Sequence, residues 1–115
     1  PVMHPGEILE KEFMIPYKLN SKKLSIRMKI EKKRLDKLIS KKHGIDSDMA
    51  LRLSAVFGTS IQFWINIQIQ YIASVMRNKC DNLKEDTKIQ KIKILPAAEE
   101  KVKDIELLLE NNEPK

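Results

Sequence analysis

Between Lys18 and Lys42 the chain sets eleven basic side chains against two acids. The bases are Lys18, Lys22, Lys23, Arg27, Lys29, Lys32, Lys33, Arg34, Lys37, Lys41 and Lys42; the acids are Glu31 and Asp36. This stretch carries +9 while the whole chain carries +6, so the remainder sums to −3. The basicity is therefore local, and a phosphate backbone is the partner that such a patch suits. Read as a helix from about Glu31 to Ser40, the segment turns Leu35, Leu38 and Ile39 to one side. Lys33, Lys37 and Ser40 project from the other side, flanked by Asp36 and Lys41, with Lys32 and Arg34 near the start. A helix that enters a major groove touches base edges mainly with its N-terminal residues, and Lys or Arg pairs with guanine O6 and N7. Lys33, Arg34 and Lys37 are the side chains placed for that role.

Charge alone would also fit a solvated basic helix. The element before it decides the reading. Ser21 to about Met28 predicts a second helix with Leu24 and Met28 four residues apart, so that three to four residues separate the two helices. That is helix-turn-helix spacing. Asn20 stands where an N-cap is needed. Free amides at that helix start, with Ser21, Lys22 and Lys23, form a plausible phosphate clamp. Packing of Leu24 and Met28 against Leu35 and Leu38 would fix the angle between the helices.

The rest of the chain frames this pair. A length of 115 residues supports one compact domain with room for an appended segment. Three glycines and few alternating β-branched stretches argue against an all-β fold. No run of about 18 apolar residues suggests a membrane span, and no leader pattern opens the chain, which points to the cytoplasm. Cys80 stands alone, so no disulfide forms within the chain. Pro5 and Glu7 suit the start of a first helix that Pro16 stops. His4 has no second His or Cys nearby and is not expected to bind metal. Gly44 is placed to end the basic helix. Asp46 or Ser47 caps a fourth helix with Met49, Leu53, Val56 and Phe57 inward, and Gly58 ends it. Ser60 opens a fifth helix running to about Asn78. Its apolar residues cover more than one face, so it must bury more than one surface. Trp64, Ile67, Tyr71, Ile72 and Val75 are the expected interface of a two-fold dimer. Residues 80–87 read as a linker and 88–95 as a short strand or extended arm. From Pro96 an amphipathic helix follows with Val102, Ile105, Leu108 and Leu109 on one stripe. The division expected is 1–79 and 80–115.

The motifs HPGEIL at 4–9, MALRL at 49–53 and GTSIQFWINIQ at 58–68 flank the helix-turn-helix in order. Together they resemble the HigA-type antitoxins, also called virulence-associated protein I, of the Xre helix-turn-helix group. The resemblance covers about residues 4–76. It implies an all-α, five-helix, lambda-repressor-like DNA-binding domain, here with a C-terminal extension. It also implies a dimer that binds its own operator DNA as a repressor and neutralises a small ribonuclease toxin, with no cofactor or metal. On that reading the DNA contacts are Ser21, Lys22, Lys23, Lys32, Lys33, Arg34, Lys37, Ser40 and Lys41. Three positions depart from the family pattern. The turn glycine is Lys29, the Ser or Thr cap of the recognition helix is Glu31, and the Asn-Gly after it is Ser40-Lys41. Lys29 must take a positive φ or the turn must change shape. No Gln or Asn remains on the reading face to specify adenine. A helix-turn-helix repressor without a toxin, or a partner-binding module that has lost base reading, would share these features. An enzyme would not: there is no nucleophile–base pairing, metal-ligand cluster or phosphate-binding loop.

Overall fold

The computed structural model describes the backbone of residues 2–111 and the side chains of 2–79 and 88–111. Its described residues form helices and no strand: α1 (Pro5–Ile8), a π-helical segment (Leu9–Met14), α2 (Ser21–Met28), α3 (Lys32–Ile39), α4 (Ser47–Phe57), α5 (Ile61–Thr87) and α6 (Pro96–Asn111). The all-helical expectation holds. The chain divides into two compact units, Pro1–Cys80 and Asp81–Lys115.

The first helix begins on a side-chain cap. His4 Nδ1 accepts the Gly6 N–H at 2.9 Å, and Pro5 occupies a position whose N–H would be unused. Gly6 has no room for a side chain, since a Cβ there would overlap the Leu38 carbonyl. The sequence pattern predicts a plain α-helix to Pro16, but the ladder widens after Ile8. The Ile15 N–H reaches back to the Glu10 carbonyl at 2.9 Å. Positions five apart diverge by about 140° around an α-helix. The wider turn narrows that angle, so Leu9 and Met14 both reach the core.

α2 is capped as the sequence indicates, with Asn20 Oδ1 accepting the Lys23 N–H at 2.8 Å. It ends at Lys29, which adopts the left-handed conformation at φ 59°. The Ile30 N–H then bonds the Ser25 carbonyl at 3.1 Å, the closing bond of a Schellman turn. Lys29 thus keeps the shape of a glycine turn at a steric cost of about 1–2 kcal/mol. α3 starts after Glu31, whose side chain makes no capping bond. Its last turn differs from expectation in one residue. The helix closes at Ser40, within the range expected, but the left-handed residue after it is Lys41 at φ 67° and not Gly44. Gly44 instead lies under Gln68, whose Oε1 accepts the Ile45 N–H at 2.6 Å. Asp46 Oδ1 caps α4 through the Met49 N–H at 2.8 Å, and Gly58 closes it at φ 70°. Ser60 Oγ accepts the Phe63 N–H at 3.0 Å as α5 begins.

α5 runs nine residues past Asn78, through the segment expected to be a linker. That stretch is polar but contains neither Gly nor Pro, and polarity alone does not break a helix. In the second unit, 88–95 has no regular structure and α6 follows from Pro96 as predicted, without a buried residue.

The core of the first unit gathers Leu9 and Met14, Leu24 and Met28 of α2, Leu35 and Leu38 of α3, Met49, Ala50 and Leu53 of α4, and Trp64. Trp64 corrects one expectation. Placed from the sequence at an interface between copies, it is 0% exposed within its own chain. Phe13 and Phe63 pack against it with centroids 4.8 and 5.0 Å away, and its indole N–H donates to Thr59 Oγ1 at 2.6 Å. The ring is large and its single polar atom is satisfied internally, so the core is its stable place.

Two stability changes follow. Trp64→Ala should cost about 3–5 kcal/mol. Lys29→Gly should instead stabilise by about 1 kcal/mol by relieving the left-handed strain. Both are read from urea melts of the full chain; a destabilised Lys29→Gly would show that the turn does not carry the strain.

Candidate nucleic-acid interface

α2 and α3 pack directly on each other through Leu24, Met28, Leu35 and Leu38. That contact fixes the outward face of α3 relative to the start of α2. A guanidinium from α4 holds the turn between them. Arg52 Nη1 donates to the Met28 carbonyl at 2.8 Å, while its Nε donates to Asp48 at 3.0 Å. Asp48 also meets Arg34 Nη1 at 2.8 Å, and Arg34 Nη2 lies 3.3 Å from Asp46. Arg34 first and Arg52 second hold the Asp48 carboxyl below its usual range.

These pairs sort the basic residues singled out by sequence. Lys33 is exposed and Lys37 half-buried on the outer side of α3, and Lys22 and Lys23 are exposed on the first turn of α2. None of the four has a carboxylate within ion-pair distance among the described residues. Lys32 bonds Asp36 at 2.8 Å, one turn along its own helix. Asp36 is held low first by the Lys32 ammonium and then by the Ser21 hydroxyl. Arg34 is turned back onto Asp46 and Asp48. Lys41 pairs with Glu7 at 2.9 Å, lowering the carboxyl and raising the ammonium. Ser40 Oγ donates to the Lys37 carbonyl at 3.3 Å. The structure thus presents Lys22, Lys23, Lys33 and Lys37 as uncommitted cations, and engages Lys32, Arg34 and Lys41 within the protein.

A cleft of about 670 Å³ runs from Lys33, Arg34 and Lys37 past His43 to Gln68 and Ile72 of α5. The basic face therefore borders the surface where Ile72 is 48% exposed. Ile67, Tyr71 and Val75 lie partly buried on the same helix. Two residues that organise this region, Arg52 and Gln68, were not singled out by sequence. Each lies inside a family-like motif, MALRL or GTSIQFWINIQ, and that was the available signal.

Among the described residues no group of three His, Cys, Asp or Glu could hold a metal, and no helix is long and apolar enough to cross a membrane. His4, the only buried histidine, is a helix cap whose ring meets Tyr71 edge-on at 4.8 Å.

No protein-family model matches the chain. It is 37% identical over 71 residues to Virulence-associated protein I of Dichelobacter nodosus, covering 62% of this chain and 66% of that one. It is 33% identical to the uncharacterized HTH-type transcriptional regulator YbaQ of Escherichia coli, covering 56% and 57%. The matches thus span somewhat less than two-thirds of these curated relatives. Among solved structures, the Pseudomonas aeruginosa antitoxin HigA with the higBA promoter aligns at a TM-score of 0.68 and 30% identity, over 81% of this chain and 100% of that one. Fold and face together define a helix-turn-helix protein whose paired helices are α2 and α3. The chain belongs to the HigA-type antitoxin family, which includes virulence-associated protein I.

The buried cap gives a pH signature. Burial, and then the Lys41 charge, lower the His4 pKa below 6.5, against a smaller opposing effect of Glu7. A depressed folded value means that the stability is present above pH 6.5 and is lost as pH falls through the folded pKa. Glu7, Asp36 and Asp48, all lowered from carboxylate values, respond only at more acid pH. The melting temperature should therefore fall as pH is lowered below 6.5, and His4→Asn, which keeps a capping acceptor, should flatten that decline. An unchanged pH profile in His4→Asn would remove the assignment.

Proposed function

We propose that this protein is a dimeric antitoxin that binds operator DNA beside its own gene, represses transcription there, and neutralises a small ribonuclease toxin in the cytoplasm. The observation that carries the DNA half is the outer face of α3. Lys33 and Lys37 project from it, uncommitted among the described residues, next to Lys22 and Lys23 at the start of α2. Lysines and free helix-start amides supply phosphate contacts, and Lys33 and Lys37 lie where guanine edges could be met. Support also comes from the relative solved with the higBA promoter. The dimer reading rests on the apolar residues that α5 leaves outward, Ile69, Ile72 and Met76, at 53%, 48% and 48% exposure. The toxin half rests on family membership.

One observation favours a second reading. Arg34, the arginine nearest the start of the recognition helix, is held by Asp46 and Asp48, and no side-chain amide stands on that face to read adenine. A protein built this way could hold phosphates with little choice of sequence and act chiefly through a protein partner.

Fluorescence anisotropy against the DNA upstream of the gene, beside scrambled DNA and over a salt series, separates the two. Repression predicts a preference of about a thousandfold or more; equal, steeply salt-dependent binding supports the second reading. Replacing Lys33 and Lys37 together with alanine should weaken binding and lower the salt slope by about 2. Unchanged affinity would place the contact surface elsewhere. Co-expression with the product of the adjacent gene, followed by co-purification and an RNA-cleavage assay, tests the toxin half.

A further inference from the structure

We propose that α6 is a second dimerisation element, which pairs in parallel with α6 of another copy as a short two-stranded coiled coil. The inference rests on the dimer reading above and adds a contact to it. In the Pseudomonas aeruginosa neighbour the whole chain is matched by 81% of this one, so about a fifth of this chain has no counterpart there.

Ala98, Val102, Ile105 and Leu109 follow one another at intervals of four, three and four within α6, and Leu95 precedes them by three. This 3–4 alternation averages 3.5 residues, the period of a coiled-coil seam, with Leu95, Val102 and Leu109 at a and Ala98 and Ile105 at d. The helix itself leaves these side chains open, with Val102 44%, Ile105 55% and Leu109 66% exposed. Leu108, at g, broadens the stripe and is 60% exposed.

The flanking charges choose the occupant. Lys101 falls at g and Glu99 and Glu106 at e. In a parallel pair a g side chain faces the e side chain five positions on in the partner helix. Lys101 therefore meets the second copy's Glu106, and symmetry makes the contact twice. In an antiparallel pair e faces e, which sets Glu99 and Glu106 against carboxylates. Opposite charges at this spacing fit a second copy in parallel register.

Sixteen helical residues are too few for a stable zipper alone. Two copies already joined through α5 would make the α6 pairing effectively intramolecular, so a weak contact suffices and tightens the whole.

Sedimentation equilibrium of the full chain tests this over a dilution series, with Ile105→Lys, Lys101→Glu and the Lys101→Glu/Glu106→Lys swap. Ile105→Lys should raise the dimer dissociation constant about tenfold or more, with the thermal melt of the helix-turn-helix domain unchanged. Lys101→Glu should weaken the dimer by about threefold to tenfold, and the swap should restore it. A wild-type chain that stays monomeric overturns the dimer reading and this inference together. A dimer whose dissociation constant ignores Ile105→Lys overturns this inference alone and leaves α5 as the interface. Weakening without restoration by the swap rejects the parallel pairing.

Discussion

The arrangement of the three central helices depends on one carboxylate. Asp48, on the first turn of α4, stands between two guanidiniums: Arg52 of its own helix and Arg34 of α3. Through Arg52 it also fixes the carbonyl of Met28, where α2 gives way to the turn. Each pair is partly solvated, with Arg34 and Arg52 at 37% and Asp48 at 44% side-chain exposure, so each contributes modestly by itself. Their effect is geometric. Apolar contacts such as Leu24, Met28, Leu35 and Leu38 bring helices together but do not direct them strongly. The fork of Arg52 is planar and its bonds are directional, so it sets where the turn lies over α4.

That constraint has an electrostatic counterpart. Arg34, Lys32 and Lys41 all spend their charge within the protein, on Asp46 and Asp48, on Asp36 and on Glu7. The local excess of base is therefore smaller in effect than a count of residues suggests, and on the outer face of α3 and the first turn of α2 it is carried by four lysines, Lys22, Lys23, Lys33 and Lys37. Lysine is a strongly hydrated point charge, without the bidentate fork that gives arginine its geometric selectivity. A face made of such groups holds a polyanion well and discriminates among sequences through position more than through hydrogen-bond pattern.

Much of this was legible from sequence, and the reasons differ by residue. Asn20, Asp46 and Ser60 cap their helices as read, because capping is a local competition between side chain and backbone. The spacing of Leu24, Met28, Leu35 and Leu38 predicted the packed pair, because a core stripe is periodic. The π turn at Leu9–Met14 was invisible, since it answers to two buried positions five apart that only the assembled core demands. Trp64 was misplaced because an apolar residue on a helix that is apolar around much of its girth does not declare which partner covers it. The ion pairs of Arg34 and Lys41 join residues 12 to 34 positions apart, and no local pattern marks them. The range of α3 was read correctly, but its left-handed closing residue was not: Gly44 looked like that residue, while a lysine three residues earlier took the glycine's conformation.

That last habit recurs. Lys18, Lys29, Lys41 and Lys88 all occupy the left-handed region that glycine or asparagine adopts at little cost. The three in the first unit end three successive helical stretches and rely on different neighbours, so their penalties should add nearly independently. The sequence therefore stands several single substitutions away from a markedly sturdier version of the same fold. Selection that removes only proteins too unstable to work leaves such headroom unused. A population of these genes could drift towards greater or lesser persistence in the cell by exchanging lysine and glycine at helix ends, without altering any side chain on the outer face of α3.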